Sequence, residues 1–149
     1  MADTLTILYA TETGNAEDLA EQVRDKAREQ GFETRLENVA DYDVGGLPGE
    51  KRVVLIASTW GDGDPPDEAV DFGEAVIDGE LDLSGLEFAV CALGDTSYED
   101  FCGFGKRLDE AFEKHGGRRI VERVDLDVDF EEGFEAWRDQ LFAKLPAPA

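Results

Sequence analysis

The sequence predicts one α/β domain, a parallel sheet with helices on both of its faces. Two runs, residues 53–57 and 88–93, are continuously apolar, the pattern of central strands covered on both sides. Between and around them apolar residues recur at helical spacing, as in Ala16, Leu19, Ala20, Val23 and Ala27. Five strands alternating with helices pair in parallel through right-handed crossovers. At 149 residues, the chain 1–149 is a single domain large enough for a core without disulfide staples.

Residues 5–10, Leu-Thr-Ile-Leu-Tyr-Ala, form the first strand. It enters Thr11-Glu12-Thr13-Gly14-Asn15-Ala16, which opens the first helix; Glu17, Asp18, Glu21, Arg24 and Arg28 form that helix's solvated face. Gly31 ends it, and residues 32–39 read as a second strand whose alternation with charges suits a sheet edge. The cluster at residues 45–49 reads as a loop. The third strand, 53–57, runs into Ser58-Thr59-Trp60-Gly61-Asp62-Gly63-Asp64-Pro65-Pro66, where the prolines suit a helix start. Ala69, Phe72, Gly73 and Val76 form the inner stripe of that helix. The fourth strand, 88–93, ends in Gly94-Asp95-Thr96-Ser97-Tyr98-Glu99-Asp100-Phe101-Cys102. A helix follows with Phe104, Leu108, Ala111 and Phe112 inward, stopping at His115-Gly116-Gly117. Residues 120–124 read as the last strand. Phe134, Trp137, Leu141 and Leu145 mark a final helix halted by Pro146, with residues 147–149 as a frayed tail.

Charge narrows the partners. The chain has 36 acidic and 14 basic residues, a formal net charge of -22. Nucleic acid and anionic membranes are poor partners for it, and basic proteins are good ones. Such acidity also suits the salt-rich cytoplasm of a halophile. No secretory or transit segment and no run of membrane-spanning length is visible, so a cytoplasmic protein is expected, and a monomer. Cys91 and Cys102 make no C-x-x-C pair and read as reduced thiols. No metal-ligand spacing occurs. His115 suits a dipole contact at a helix end.

Three loops carry unusual chemistry, after the first, third and fourth strands, and in such folds strand carboxyl ends hold the ligand. The first is a hydroxyl- and Gly-rich turn at a helix N-terminus, where free N–H groups and the helix dipole attract an anion. It has no Lys or Arg, which excludes a P-loop grip on a polyphosphate and fits a single phosphate monoester. Taken alone, the six residues serve equally as an ordinary N-capped turn. Trp60 and Tyr98 stand on the other two loops. Either alone reads as a packing residue, but two flat faces beside a phosphate site describe a planar aromatic mononucleotide.

The loops T-E-T-G-N-A, S-T-W-G-D-G-D-P-P and L-G-D-T-S-Y-E-D-F-C resemble those of the flavodoxins, and the resemblance covers the whole chain. No long insertion interrupts the last strand, as in short-chain members. G-D-G-D-P-P and C-G-F-G-K resemble still more the FMN domains of cytochrome P450 reductase and the sulfite reductase flavoprotein. The resemblance implies a flavodoxin-like three-layer sandwich of strand order 2-1-3-4-5, with FMN bound non-covalently at its switch point. It implies that Thr11, Thr13 and Asn15 hold the phosphate with the amides of residues 12–16, through Glu12, Gly14 and Ala16; many flavodoxins have a second Thr in place of Ala16. Trp60 would cover one ring face and Tyr98 the other. Ser58, Thr59, Asp62 and Gly63 would line the second loop, and Leu93, Gly94, Asp95, Phe101 and the Cys102 amide the pyrimidine side. Gly61 is the family's flipping peptide, whose φ freedom would serve a neutral semiquinone.

The function implied is a low-potential electron carrier, not an enzyme, shuttling single electrons between the basic faces of redox partner proteins. Glu12, Asp62, Asp64, Asp67, Asp95, Glu99 and Asp100 would oppose an anionic reduced flavin. Each charge at roughly 10 Å in water is worth about 0.4 kcal/mol, or around 20 mV. An FMN enzyme oxidising NAD(P)H is the alternative, disfavoured by the lack of a second nucleotide module or an Arg near the loops. A phospho-signalling receiver would need acidic residues ending the first and third strands, which read Leu8-Tyr9-Ala10 and Ile56-Ala57-Ser58. Cys102 has no adjoining Lys or Arg to activate it and reads as a packed thiol. Starting at Met1 directly on the first strand favours a free-standing protein, while the diflavin-like loops leave open a separated reductase domain.

Overall fold

The structure is a computed structural model, and it describes residues 4–11, 14–58, 69–94, 102–127 and 129–145. In chain order the elements are β1 (Thr4–Ala10), α1 (Asn15–Glu29), β2 (Glu33–Asn38), β3 (Arg52–Ser58), α2 (Val70–Ile77), β4 (Glu87–Leu93), α3 (Gly103–Lys114), β5 (Arg118–Arg119), β6 (Val124–Leu126) and α4 (Glu131–Lys144). Every strand pair is parallel, and the order across the sheet is β2-β1-β3-β4-β5, with β6 also on β4.

Strand alternation divides the interior in two. Leu5, Ile7, Val54, Ile56, Ala89 and Cys91 face α1 and α4, whose Leu19, Val23, Phe134 and Trp137 cover them. Leu8, Val53, Leu55, Phe88 and Val90 face α2 and α3, covered by Phe72, Val76, Phe104 and Phe112. β3 is buried along its whole length, as its apolar run demands. β2 lies at the edge with all six of its residues partly exposed or more, the wetter strand that its alternation predicts. The inner stripe of α1, Ala16, Leu19, Ala20, Val23 and Ala27, is buried as predicted.

Two local expectations are corrected. Residues 45–49 are not a plain loop: Val44–Gly49 is a 3-10 turn, started by Asp43, whose Oδ1 accepts from Gly45 N–H at 2.9 Å. Leu47 inside it is buried, which gives the turn a reason to close. The last strand, expected at 120–124, is instead two short pieces flanking residues 120–123. Between the pairs Phe88↔Arg119 and Cys91↔Val124, β4 advances three residues and its neighbour five, so two extra residues bulge out. Ile120 N–H still bonds Phe88 O at 2.7 Å, and Val121 turns into the α1–α4 core.

Candidate functional site

The register brings three strand ends to one edge. Ala10 pairs with Ala57, Ala57 with Ala92, and Ser58 with Leu93, so Thr11, Ser58 and Gly94 leave adjacent strands side by side. Neighbouring strands lie about 4.8 Å apart, which places all three within the width of one flat aromatic ligand.

At the first of these ends, Thr11 Oγ1 accepts from Gly14 N–H at 2.8 Å and so closes the turn. Gly14 takes a φ of +92, open to glycine but strained for other residues, and nothing stands within 4 Å of where its Cβ would be. Among the described residues no side chain caps α1, and its first backbone bond is Asp18 N–H to Gly14 O at 3.0 Å. The amides of Asn15, Ala16 and Glu17 are therefore the open donors of the helix start. The two carboxylates of the first helical turn have partners of their own: Glu17 accepts from Tyr9 OH at 3.1 Å, and Asp18 from Gln22 at 3.4 Å. Burial and the Glu17 hydrogen bond raise the Tyr9 hydroxyl's pKa, keeping it a donor.

At the third end, Gly94 and Cys102 touch. A Cβ at Gly94 would lie 2.8 Å from Cys102 N, so only glycine fits. Cys102 starts α3 in the left-handed region, φ +56, and its thiol is buried against the carbonyls of Ala92 at 3.5 Å and Leu126 at 3.7 Å. Burial pushes this thiol up to about 12, with Asp125 adding to the shift. Lys106 and Arg123 act in the opposite sense, so cationic neighbours do exist although none adjoins Cys102 in sequence. Burial wins, and the packed-thiol reading holds. Cys91 is fully buried and its pKa is raised by the same cause.

Of the residues marked by sequence for the cofactor, Thr11, Gly14, Asn15, Ala16, Ser58, Leu93, Gly94 and Cys102 are brought together at this edge. Glu12, Thr13, Thr59, Trp60, Gly61, Asp62, Gly63, Asp95, Tyr98 and Phe101 lie outside the described residues, as do Asp64, Asp67, Glu99 and Asp100. Sequence reasoning missed the Leu126 carbonyl, which accepts from Gly94 N–H and the Cys102 thiol, and the neighbouring cluster of Asp109, Arg123 and Asp125. No spacing announces Asp109, because its partners Arg119 and Arg123 lie beyond the end of its own helix. His115 was expected only to meet a helix dipole, yet its Nε2 lies 2.7 Å from Val76 O, joining α3 to α2.

The donor set suits FMN. A helix start with a close-approach glycine at its N-cap offers neutral donors to one phosphate, and the ends of β1, β3 and β4 stand in adjacent register beside it. Among the described residues, no group of three His, Cys, Asp or Glu is placed to hold a metal. No described helix is long and apolar enough to cross a membrane.

Comparison with known proteins agrees with this geometry. The family model described as flavodoxin matches residues 7–137. The sulfite reductase [NADPH] flavoprotein alpha-component of Neisseria meningitidis serogroup C (strain 053442) is 40% identical over 147 residues, covering 97% of this chain and 24% of that protein. The chain thus spans about a quarter of the length of the curated relatives it matches. Among solved structures, a flavodoxin of Streptococcus pneumoniae TIGR4 superposes with TM-score 0.80 at 32% identity, covering 95% of this chain and 99% of that one. A short-chain flavodoxin associated with a PDU bacterial microcompartment gives TM-score 0.83 at 28% identity, covering 95% and 96%. The chain belongs to the flavodoxin family: its cofactor is FMN, and its chemistry is electron transfer.

Proposed function

We propose that residues 1–149 form one FMN domain that carries single electrons between partner proteins, using the semiquinone and hydroquinone levels of its cofactor. The observation that supports it most is the edge where Thr11, Ser58 and Gly94 leave adjacent strands beside the start of α1. The cofactor supplies the redox chemistry; the chain binds and orients it and sets its surroundings. Asn15, Ala16 and Glu17 amides hold the phosphate, with Thr11, Thr13 and Asn15 side chains. Trp60 and Tyr98 cover the ring, and Gly61 supplies the backbone freedom at its reacting edge. The net charge of -22 disfavours added negative charge on the flavin and draws basic faces of a donor and an acceptor to a monomeric carrier.

The relatives favour a second, narrower reading. Identity is higher to the sulfite reductase flavoprotein component, at 40%, than to the solved flavodoxins, at 32% and 28%. On that reading the acceptor is a sulfite-reducing enzyme, and the chain serves as its donor module.

An anaerobic reductive titration followed by visible absorbance tests the first proposal. Two separated one-electron steps with a blue intermediate support it. Bleaching in one two-electron step, with turnover of NADPH by the purified chain, replaces it with the FMN-enzyme reading. Absence of flavin uptake overturns the whole assignment. Adding the photoreduced protein to a sulfite-reducing enzyme and observing reoxidation tests the second.

A further inference from the structure

One cluster of charge is built into the protein rather than spread over it. Asp109 on α3 has a side chain only 4% exposed, yet it accepts from two guanidinium groups. Arg119 meets it side-on, Nε to Oδ1 at 3.0 Å and Nη2 to Oδ2 at 2.8 Å. Arg123 reaches Oδ2 through Nη1 at 3.0 Å and holds Asp125 of β6 through Nε at 2.8 Å. Arg123 therefore ties α3 to β6 across the bulge at 120–123.

The residue after Asp125 faces the cofactor edge. Leu126 O accepts from Gly94 N–H at 2.9 Å and from the Cys102 thiol at 3.7 Å. Gly94 ends β4 and Cys102 begins α3, and the two backbones are in contact. Cys102 is also the single non-glycine with a left-handed φ among the described residues. Such a conformation persists where its surroundings over-determine it. Here they are the Leu126 carbonyl on one side and the α3 anchor, Asp109, on the other. Arg123 bonds both Asp109, which Arg119 also holds, and Asp125, the residue before Leu126.

We infer that Arg123 is a positioning residue for the cofactor: by tying Asp109 to Asp125 it fixes the Leu126 carbonyl, and with it the Gly94–Cys102 edge of the FMN site. Arg is suited to this because its planar fork serves two carboxylates at once, which an ammonium cannot do with the same geometry. The inference rests on the electron-carrier reading of the site given above. It adds a residue outside the loops that the resemblance assigns to phosphate and ring, one that governs how firmly one side of the site is held.

The test compares Arg123→Met with Thr6→Val in the full chain. Thr6 is buried and donates to Glu50 at 2.5 Å, a network before β3 and away from the strand carboxyl ends. Thr6→Val therefore reports what general loss of stability does to FMN. The readouts are FMN Kd, the one-electron potentials and the unfolding midpoint of the apoprotein. Arg123→Met is expected to weaken FMN at least tenfold and to shift a potential, while Thr6→Val leaves both near wild type. Arg123→Lys is expected to recover part of the affinity. Equal Kd and equal potentials in Arg123→Met and Thr6→Val overturn the inference. Should Arg123→Met not fold, Asp125→Asn keeps the α3 anchor and removes the charge that Arg123 grips on β6; a Kd unchanged from wild type then overturns it. Wild-type protein that takes up no FMN overturns the electron-carrier reading as well, so the two failures are distinct.

Discussion

Gly105 of α3 crosses so close over Ala92 of β4 that a Cβ at residue 105 would stand 2.4 Å from the Ala92 Cβ. A glycine inside a helix ordinarily costs about 1 kcal/mol against alanine. Here the sign reverses, because Ala92 sits in a strand paired on both sides and cannot yield. Gly105→Ala is expected to destabilise by about 1–3 kcal/mol, the usual cost of overpacking. Urea unfolding checks it. Gly133→Ala is the contrast: its Cβ would meet only the tip of the Leu126 side chain, Cδ2 at 2.5 Å, and should cost much less.

Asp109→Asn should be among the most damaging surface-distant polar changes. It leaves Arg119 and Arg123, 20% and 22% exposed, facing a neutral amide. Loss of a partner in a buried pair costs on the order of 3–5 kcal/mol. Asp25→Asn, which breaks the exposed Arg24 pair at 3.2 Å, should cost under about 1 kcal/mol. Thermal unfolding in low and high salt separates the two, because only the exposed pair is strongly screened.

Stability should fall on the alkaline side. Burial raises the Cys102 thiol from 9.0 to about 12. Burial also raises Cys91 from 9.0, and burial with Glu50 raises Tyr42 from 10.0. The native state then keeps protons that the unfolded chain releases, so stability declines as pH rises above 9, and more steeply above 10. Each group contributes up to about 1.4 kcal/mol per pH unit in its window. Unfolding midpoints between pH 8 and 11 measure the decline, and Cys102→Ala should flatten it. A thiol reagent at pH 8 should find neither cysteine in the folded protein, since both are 0% exposed.

His115→Ala should cost about 1 kcal/mol, the worth of one hydrogen bond, without changing FMN affinity. A carbonyl only accepts, so Nε2 carries the proton in the 2.7 Å contact with Val76 O. Asn at 115, too short to span that contact, should not rescue the loss.

Molar KCl should raise the unfolding temperature. Self-repulsion at a net charge of -22 opposes the compact state and is screened within about 3 Å at 1 M salt. A lower unfolding temperature in KCl would remove the salt-rich habitat from consideration.

Most of the frame was legible because burial on both faces leaves a simple mark. The runs at 53–57 and 88–93 could hardly be anything but central strands, and the α1 stripe named its buried face residue by residue. The last strand was misplaced for the same reason. Ile120 and Val121 are apolar and β-branched, so they read as strand centre, whereas pairing lies to either side of them. Asp109 was invisible: it sits between Leu108 and Ala111 on a helix, where an acid reads as surface, and its partners are supplied downstream by β5 and the bulge after it. At the site, the strand ends and the helix start followed from pattern alone. The brace behind Cys102 did not, since a carbonyl such as Leu126 O has no sequence signature.

The uneven pairing of the sheet sets how its parts come open. β3 has a full-length strand on each side and a helical layer on each face, so its amides should exchange with solvent only when the whole protein unfolds. β5 and β6 hold β4 through two and three residue pairs separated by a bulge, and their amides should exchange through small local openings. Hydrogen exchange should thus run as a gradient across the sheet, slowest at its centre and fastest at the margin that supports Gly94 and Cys102. Openings at that margin leave intact the centre that keeps the shape of the sheet.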